Sequence, residues 1–586
     1  MTFFRNFFAS CLGTLVAFGI AFFMFFAIIS SLSQMEPATT IGSNVLLELD
    51  FQGFVKDRVA DQAQDPFASF ADPTMGLDQI LLSIEVAASD DRVKGISIKN
   101  PYFIGGMSQL QDVRNALLRF KESGKKVLAY AEVYDQKNYF LASVADSLYL
   151  NPTGYMEFQG LSSEVLYYKD FQEKTGLKME VIRHGKYKSA VEPYLQNEMS
   201  AAQRLQLTEL LEGLWNVMSV DIAASRGMEL ALLNKQATEM GARTPILAVE
   251  NGLVDGLLFA DEYEDTLKRT FGLPLPNKPK TVSLVEYSRY ASTKRPYSAK
   301  ENVAVVYAQG AIMPGKGNAD YIGEQLTIEG IEAALKNSTV KAIVLRVNSP
   351  GGSALISDLI WRSLEKAKEE KPVVVSMGDV AASGGYYIAA AANKIFASPM
   401  TITGSIGVFG TLPNMSELAS EWGIHSQRVS THENGAQYSV FSPMTEQFRT
   451  LTKEGVEQTY QTFLSRVSQG RGMSMEAVDA LAQGRVWTAQ AALEAGLVDG
   501  IGDLSMAVAA AAELGGTTVY GIRNYPKYKT PFEQLVEDLS GVSARVKTAL
   551  LTPNPTQDAA AFLQHMSQQI KTEGIQARMP YVLDIQ

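Results

Sequence analysis

The feature that most limits what this chain can become is that it repeats itself. The run VKGISIKN from Val93 matches VKAIVLRVN from Val340, and NYFLASVADSLYLNP (138–152) matches GYYIAAAANKIFASP (385–399). Subtracting 93 from 340, or 152 from 399, gives 247 in both cases, and the same step links Gly160 to Gly407 and Gly176 to Gly423. Further on, ENGLVDG (250–256) matches EAGLVDG (494–500) at a step of 244, and each half opens on a strand running into Gln-Gly, at Gln52–Gly53 and Gln309–Gly310. A chain of 586 residues is too long for one core, and two tandem copies of one unit account for its length.

Within each copy, short β-rich apolar runs alternate with helical patterns. In the second they are NVAVVYAQG, a helix near IEGIEAALKN, KAIVLRVN, a helix near ISDLIWRSLEKAKEE, and PVVVSMG. Such alternation predicts an α/β fold in which a mostly parallel sheet is covered by helices. The expected organisation is a stub and anchor over 1–34, a first α/β repeat over 44–271, a linker over 272–300 (GLPLPNKPK, then SRYASTKRPYSAK), a second repeat over 301–527, and a polar, helical tail over 528–586 broken at PNP (553–555).

Residues 7–29 carry no charge, and as a helix they would span about 35 Å, enough to cross a hydrocarbon core with some tilt. The apolar region of a cleaved signal peptide is shorter, so the segment reads as an uncleaved anchor. Arg5 before it and Glu36 after it place the N-terminus in the cytoplasm and the body outside. The net charge of -11, with no basic block, argues against nucleic acid as a partner. The single cysteine, Cys11, lies in the apolar N-terminus, which excludes an intramolecular disulfide or a cysteine zinc site, and His184, His425, His432 and His565 lack metal-ligand spacing. No cofactor or metal is implied.

The chemistry points to DVAASGGYYI (379–388). It follows the buried-strand pattern VVVSMG and closes into the helix-favouring YYIAAAANK, which puts Ser383 at a strand-to-helix turn. Gly384 and Gly385 let a substrate carbonyl approach main-chain N–H groups there. The ordinary use of such a serine is to cap the helix; the other use is as a nucleophile. One strand earlier, NSPGGSA places Gly351 and Gly352 at a strand end, either as a plain turn or as amides that hold an oxyanion.

A nucleophilic serine needs a base. His432, in the polar loop STHENGAQ, is the only histidine in the second half's site region, and a solvated loop histidine explains it as well. The alternative is Lys188, in RHGKYKSAVEPY. The repeat sharpens this choice: Ser383 less 247 is Gln136, and Lys188 plus 247 is Gly435, so each half holds one member of a Ser/Lys pair and lacks the other. A lysine base must be desolvated, or placed near another cation, so that its pKa falls from about 10.4 to about 7–8. Ser405, in TGSIGVFG, is a candidate to orient the amine.

The motifs SPGGSA, DVAASGGYYIAAAANKI, TGSIGV, GKYKSAVEPY and GRVWTAQAALEAGLVDG, in this arrangement, resemble the signal peptide peptidase A (protease IV) family in its long two-copy form, over nearly all of residues 44–525. The resemblance implies two tandem crotonase/Clp-like units and a serine peptidase with Ser383 as nucleophile and Lys188 as general base. It also implies Ser405 as the hydroxyl positioning the lysine, with the Gly351 and Gly352 region and the Gly384 amide around the oxyanion. Members of this kind are membrane-anchored homo-oligomers, commonly tetramers, facing the periplasm, that degrade signal peptides left in the membrane. Two other functions fit the same fold: a crotonase-like acyl-CoA enzyme, and a non-catalytic membrane scaffold.

Overall fold

The computed structural model describes residues 2–33, 41–51, 53–60, 74–274, 278–294, 299–432, 435, 438–530, 533 and 576–578. It contains two sheets of the same plan. The first runs, in spatial order, Gly256–Leu257, Ser147–Met156, Lys126–Tyr134, Val93–Lys99, Val45–Leu49 and Thr281–Ser283, all parallel. The second repeats that order as Gly500–Ile501, Lys394–Ala397, Val373–Ala382, Val340–Ser349, Asn302–Gln309 and Gly521–Tyr525, again parallel. Ile402–Gly404 and Val486–Thr488 extend the second sheet beside the upper end of Val373–Ala382, the last pair being antiparallel. The expectation of two tandem, mostly parallel sheets covered by helices therefore holds.

The central strands are buried on both faces, which is why they read as continuous apolar runs rather than alternating ones. Helices Glu324–Lys336 and Ala354–Glu370 fall where the apolar spacing predicts them. One boundary differs. Residues 281–292 of the expected 272–300 linker form the edge strand Thr281–Ser283 and the helix Leu284–Ser292, which buries Leu284, Tyr287 and Ala291 in the first core. The Pro- and Lys-rich stretch before them masked this packed turn of chain. Of the 528–586 tail, the structure describes residues 528–530, 533 and 576–578, the last three forming the strand Gln576–Arg578; the rest of the expected helical tail, with its break at PNP, lies outside the described residues.

A third sheet joins the halves. Its order is Tyr321–Ile322, Ala311–Ile312, Gly351–Ser353, Gln576–Arg578, Val408–Asn414 and Lys178–His184. The last strand comes from the first repeat and pairs antiparallel with Val408–Asn414 of the second, from His184 opposite Val408 to Lys178 opposite Asn414. Apart from these sheets, helix Thr2–Ser33 contains one stretch, Arg5–Met24, long and apolar enough to cross a membrane.

The halves also meet through a buried ion cluster absent from the sequence reading. Arg346 of the second half, 1% exposed, lies 3.0 Å from Asp57 and 3.3 Å from Asp112 of the first. Beside it, Asp379 accepts main-chain N–H bonds from Ser108 (2.8 Å) and Gln109 (3.1 Å) and a bond from the Asn348 amide (2.8 Å). Burial pushes Asp112 up to about 7 despite the nearby guanidinium, and burial also raises Asp379. Asp379 lies on the strand that ends at the residue before Ser383, so this cluster fixes the first repeat against the strand carrying the serine.

Candidate active site

The strand Val373–Ala382 ends where the short helix Gly384–Ala389 begins, and Ser383 is the hinge between them. Its backbone lies at φ 56° and ψ -114°, a region a serine rarely enters and that costs roughly 1–3 kcal/mol. The side chain makes no capping bond to the helix, so the ordinary capping role is not the one it plays. The turn is held by its main chain: Ser383 N–H donates to the Gly404 carbonyl at 2.8 Å, and Tyr387 N–H donates to the Ser383 carbonyl at 2.8 Å. Gly385 has no room for a side chain, because a Cβ there would lie 2.6 Å from the Ser349 carbonyl oxygen.

The equivalent turn of the first half shows what this geometry is not for. There the helix Gln136–Ala142 is capped conventionally, the Asp135 carboxylate accepting from Asn138 N–H at 2.6 Å. Gln136 folds back on its own loop, accepting from Gly160 N–H at 2.9 Å and donating to the Gly160 carbonyl at 2.9 Å. The strained turn belongs to the copy with the serine.

Lys188 reaches this turn from the first repeat of the same chain. The Lys178–His184 strand, clamped to Val408–Asn414, carries the chain across, and the turn after it is fastened by Tyr187 N–H donating to the Gln483 carbonyl at 2.8 Å. Gln206 ties the following segment down, donating to Ser189 Oγ at 3.1 Å and accepting from Val486 N–H at 2.9 Å. The result is a fully buried lysine whose Nζ lies 2.9 Å from Ser383 Oγ, 3.0 Å from Ser405 Oγ and 3.0 Å from the Ser405 carbonyl oxygen.

Those three neighbours fix what the amine can do. The Ser405 carbonyl can only accept, so one N–H points there, while both hydroxyls can donate or accept. A neutral amine can thus donate to Ser405 and turn its lone pair toward the Ser383 O–H. Burial alone holds Lys188 well below its ordinary pKa, as a buried ammonium without a countercharge must be. Ser405 is itself at φ 51° and is pinned by its N–H donating to the Arg485 carbonyl at 2.6 Å. The sequence candidates Ser383, Lys188 and Ser405 therefore converge.

The glycine strand Gly351–Ser353 lies in the third sheet, with Gly352 opposite Ile312. Gly351, at φ 95°, occupies a left-handed position, and a Cβ on Gly352 would lie 2.0 Å from the Ile312 carbonyl oxygen. Gly351 N–H donates to Ser349 Oγ at 3.2 Å. The Gly384 amide is the first of its helix, one of those left without an intrahelical acceptor. His432 is exposed and bonds to its neighbour Thr431 at 2.9 Å, and His184 lies 2.8 Å from Glu457 and stacks on Tyr460. Neither is a hydrogen-bond partner of Ser383. Among the described residues, no group of His, Cys, Asp and Glu side chains is arranged to hold a metal ion.

Sequence reading missed Gly484. It sits at φ +79°, and a Cβ on it would lie 2.6 Å from Lys188 Cβ and 2.7 Å from that residue's N and Cα. It is the surface on which the lysine's backbone rests. Its signal was its place at the head of the motif GRVWTAQAALEAGLVDG, which says nothing of a contact with Lys188.

Comparison with known proteins identifies the family. The family model described as Peptidase family S49 matches the chain twice, over residues 119–273 and 365–518. Protease 4 of Haemophilus influenzae is 34% identical over 508 residues, which cover 83% of this chain and 82% of that protein. Protease 4 of Salmonella typhi is 35% identical over 535 residues, 88% of this chain and 86% of that one. The chloroplastic Serine protease SPPA of Arabidopsis thaliana is 29% identical over 543 residues, 90% and 77% of the two chains. With a buried amine on a strained serine and two copies of one family unit, the chain belongs to peptidase family S49 and is a serine peptidase.

Proposed function

We propose that this is a membrane-anchored endopeptidase that degrades cleaved signal peptides with a Ser383/Lys188 dyad divided between its two repeats. The observation that carries the dyad is the 2.9 Å approach of the buried Lys188 amine to Ser383 Oγ, with Ser405 as its remaining partner. Neutral Lys188 takes the Ser383 proton as Oγ attacks a peptide carbonyl. The amides of Gly384 and of the Gly351 and Gly352 strand hold the oxyanion; Gly351 N–H first leaves Ser349 Oγ if it takes part. The lysine ammonium then protonates the leaving amine, and a water deprotonated by the same lysine hydrolyses the acyl-enzyme.

The apolar helix near the N-terminus supports the substrate class. An anchor over residues 7–29, N-terminus in the cytoplasm, holds the body beside the bilayer, where membrane-derived apolar peptides lie. Assembly into a homotetramer follows from the family resemblance and is part of the same proposal.

The test is hydrolysis of an apolar fluorogenic peptide by the full chain in detergent, with Ser383→Ala as blank. Lys188→Ala should fall to the blank. Lys188→Ala retaining most of the wild-type rate would remove the lysine from the mechanism. A polar peptide cleaved as fast as a signal-peptide fragment would remove the proposed substrate class.

A further inference from the structure

Arg485, beside Gly484, joins the two parts of the chain that hold the lysine. Its main chain holds Ser405: the Arg485 carbonyl accepts from Ser405 N–H at 2.6 Å, Gly484 N–H donates to the Ile406 carbonyl at 2.8 Å, and Val486 stands opposite Gly404. The fit is close, since a Cβ on Gly404 would lie 2.5 Å from Trp487 Cδ1 and 3.1 Å from the Arg485 carbonyl oxygen. Its side chain holds the lysine's turn. The guanidinium carbon lies 5.3 Å from the ring centroid of Tyr187, the residue before Lys188, and 4.2 Å from that of Trp487, within reach of a cation–π contact with both. Arg485 Nε is buried and has no hydrogen-bond partner among the described residues, so the ring faces and one carboxylate, that of Glu209, hold the group in place.

Glu209 lies on the helix Ala201–Arg226 of the first repeat. Gln206, Glu209 and Gly213, three and four residues apart, share one face of that helix. They meet Val486 N–H, the Arg485 guanidinium and the Thr488 side chain in turn, a Cβ on Gly213 lying 2.6 Å from Thr488 Cγ2. The first repeat therefore grips the segment that grips Ser405.

The internal repeat separates this clamp from the needs of the fold. At the step of 244, Thr488 corresponds to Thr244, and each caps the helix that follows it. Gly484 corresponds to Met240, and both take a positive φ, 79° and 52°. The backbone plan is kept, yet Arg485 corresponds to Gly241 and Trp487 to Arg243. The copy without the serine makes the same turn with neither the guanidinium nor the indole.

We infer that Arg485 is a positioning residue for the reaction: it clasps the Tyr187–Lys188 turn to the segment that carries Ser405 and keeps water from the amine between them. Its side chain is 22% exposed while Lys188 is fully buried, so the guanidinium is the outer layer over the lysine's turn. The inference rests on reading Lys188 as the general base.

The experiment uses the full chain with Arg485→Met, which keeps an unbranched stem and removes the cation, and with Arg485→Lys, which restores the charge without the planar fork. Denaturant titration establishes the folded fraction, and kcat and KM for the apolar fluorogenic peptide are followed against pH. Arg485→Met should lower kcat about 10- to 100-fold with KM within about twofold, and raise the pH limb of kcat/KM by about one unit as water reaches the amine. Arg485→Lys should recover about tenfold of the loss and part of the limb shift, and it carries the test if Arg485→Met does not fold. A folded variant with the limb unmoved would overturn the inference. A second readout needs no turnover: the pH dependence of stability contributed by Lys188, taken as the difference from Lys188→Met, should shrink when Arg485→Met is added. An equal difference with and without Arg485→Met would also overturn the inference. Shrinkage together with an active Lys188→Ala would sink the lysine base while leaving Arg485 as the group that keeps that lysine dry.

Discussion

Replacing Gly484 by alanine tests the site through a residue that touches neither substrate nor nucleophile. The new Cβ would lie 2.6 Å from Lys188 Cβ and 2.7 Å from its N and Cα, whereas carbon atoms in contact sit about 3.5–4.0 Å apart. The gap must open by about 1 Å, and because the obstructing atoms are backbone and Cβ, no flexible side-chain end can absorb it. Alanine at φ +79° adds about 1–2 kcal/mol of backbone strain, and the overpacking about 1–3 kcal/mol. A shift of about 1 Å carries Nζ from 2.9 Å beyond hydrogen-bond reach of Ser383 Oγ, and misplacement on that scale costs about 10²-fold in rate, close to 2.7 kcal/mol of barrier. The assay is kcat/KM on the fluorogenic peptide, with thermal melting to establish the folded fraction. Gly472→Ala is the control: it sits at φ +64° with nothing within 4 Å of a Cβ, so it carries the strain without the clash, and its rate should stay near that of wild type. Gly484→Ala protein that melts cooperatively yet keeps kcat/KM within about threefold of wild type would refute the reasoning.

Other outcomes follow from the same geometry. Because burial lowers the Lys188 pKa, kcat/KM should rise with pH along a limb centred well below 10.5; a limb at 10.5 would mean a solvated lysine. The same shift has a stability signature: between the folded pKa and 10.5 the unfolded chain binds the extra proton, so stability increases with pH there, is fully present above 10.5 and is lost as pH falls through the folded value. Lys188→Met should flatten that slope in denaturant titrations at several pH values. Arg346→Met leaves Asp57 and Asp112 buried without their cation and should cost about 3–5 kcal/mol in the same titrations. That loss should be smaller at pH 5 than at pH 8, since Asp112, with a pKa pushed up to about 7, takes a proton readily at the lower pH. Ser405→Ala, which removes one of the three partners of the amine, should lower kcat about 10- to 100-fold with little change in KM. A kcat within a factor of two would show that its carbonyl alone positions the lysine.

The repeat made the architecture legible, because each copy had to bury the same strands in the same order, and the step of 247 between Val93 and Val340 is that order written in residues. Ser383 was legible for a local reason: an apolar strand, a serine and two glycines before an Ala-rich helix leave few other conformations. Lys188 was found through what each copy lacked, yet how it arrives was hidden. KMEVIRH is a half-exposed strand with little apolar contrast, and its partner Val408–Asn414 lies in the other copy, so no local pattern could pair them. The Arg346 cluster escaped because a buried charge looks, in sequence, like a solvated one. Gln576–Arg578 is too short for any periodicity to mark it.

The crossing of Lys178–His184 onto Val408–Asn414 also sets a clock. Lys188 leaves the ribosome 195 residues ahead of Ser383, and the turn that seats it is closed only when Gln483 and Gly484 arrive. A half-made chain therefore holds a lysine without its serine, then a serine beside an unseated lysine. Such a protease would be harmless to its own unfolded length until more than four-fifths of the chain is made, and a chain stalled just before Gly484 should be inert while one released just after its sheet closes should not.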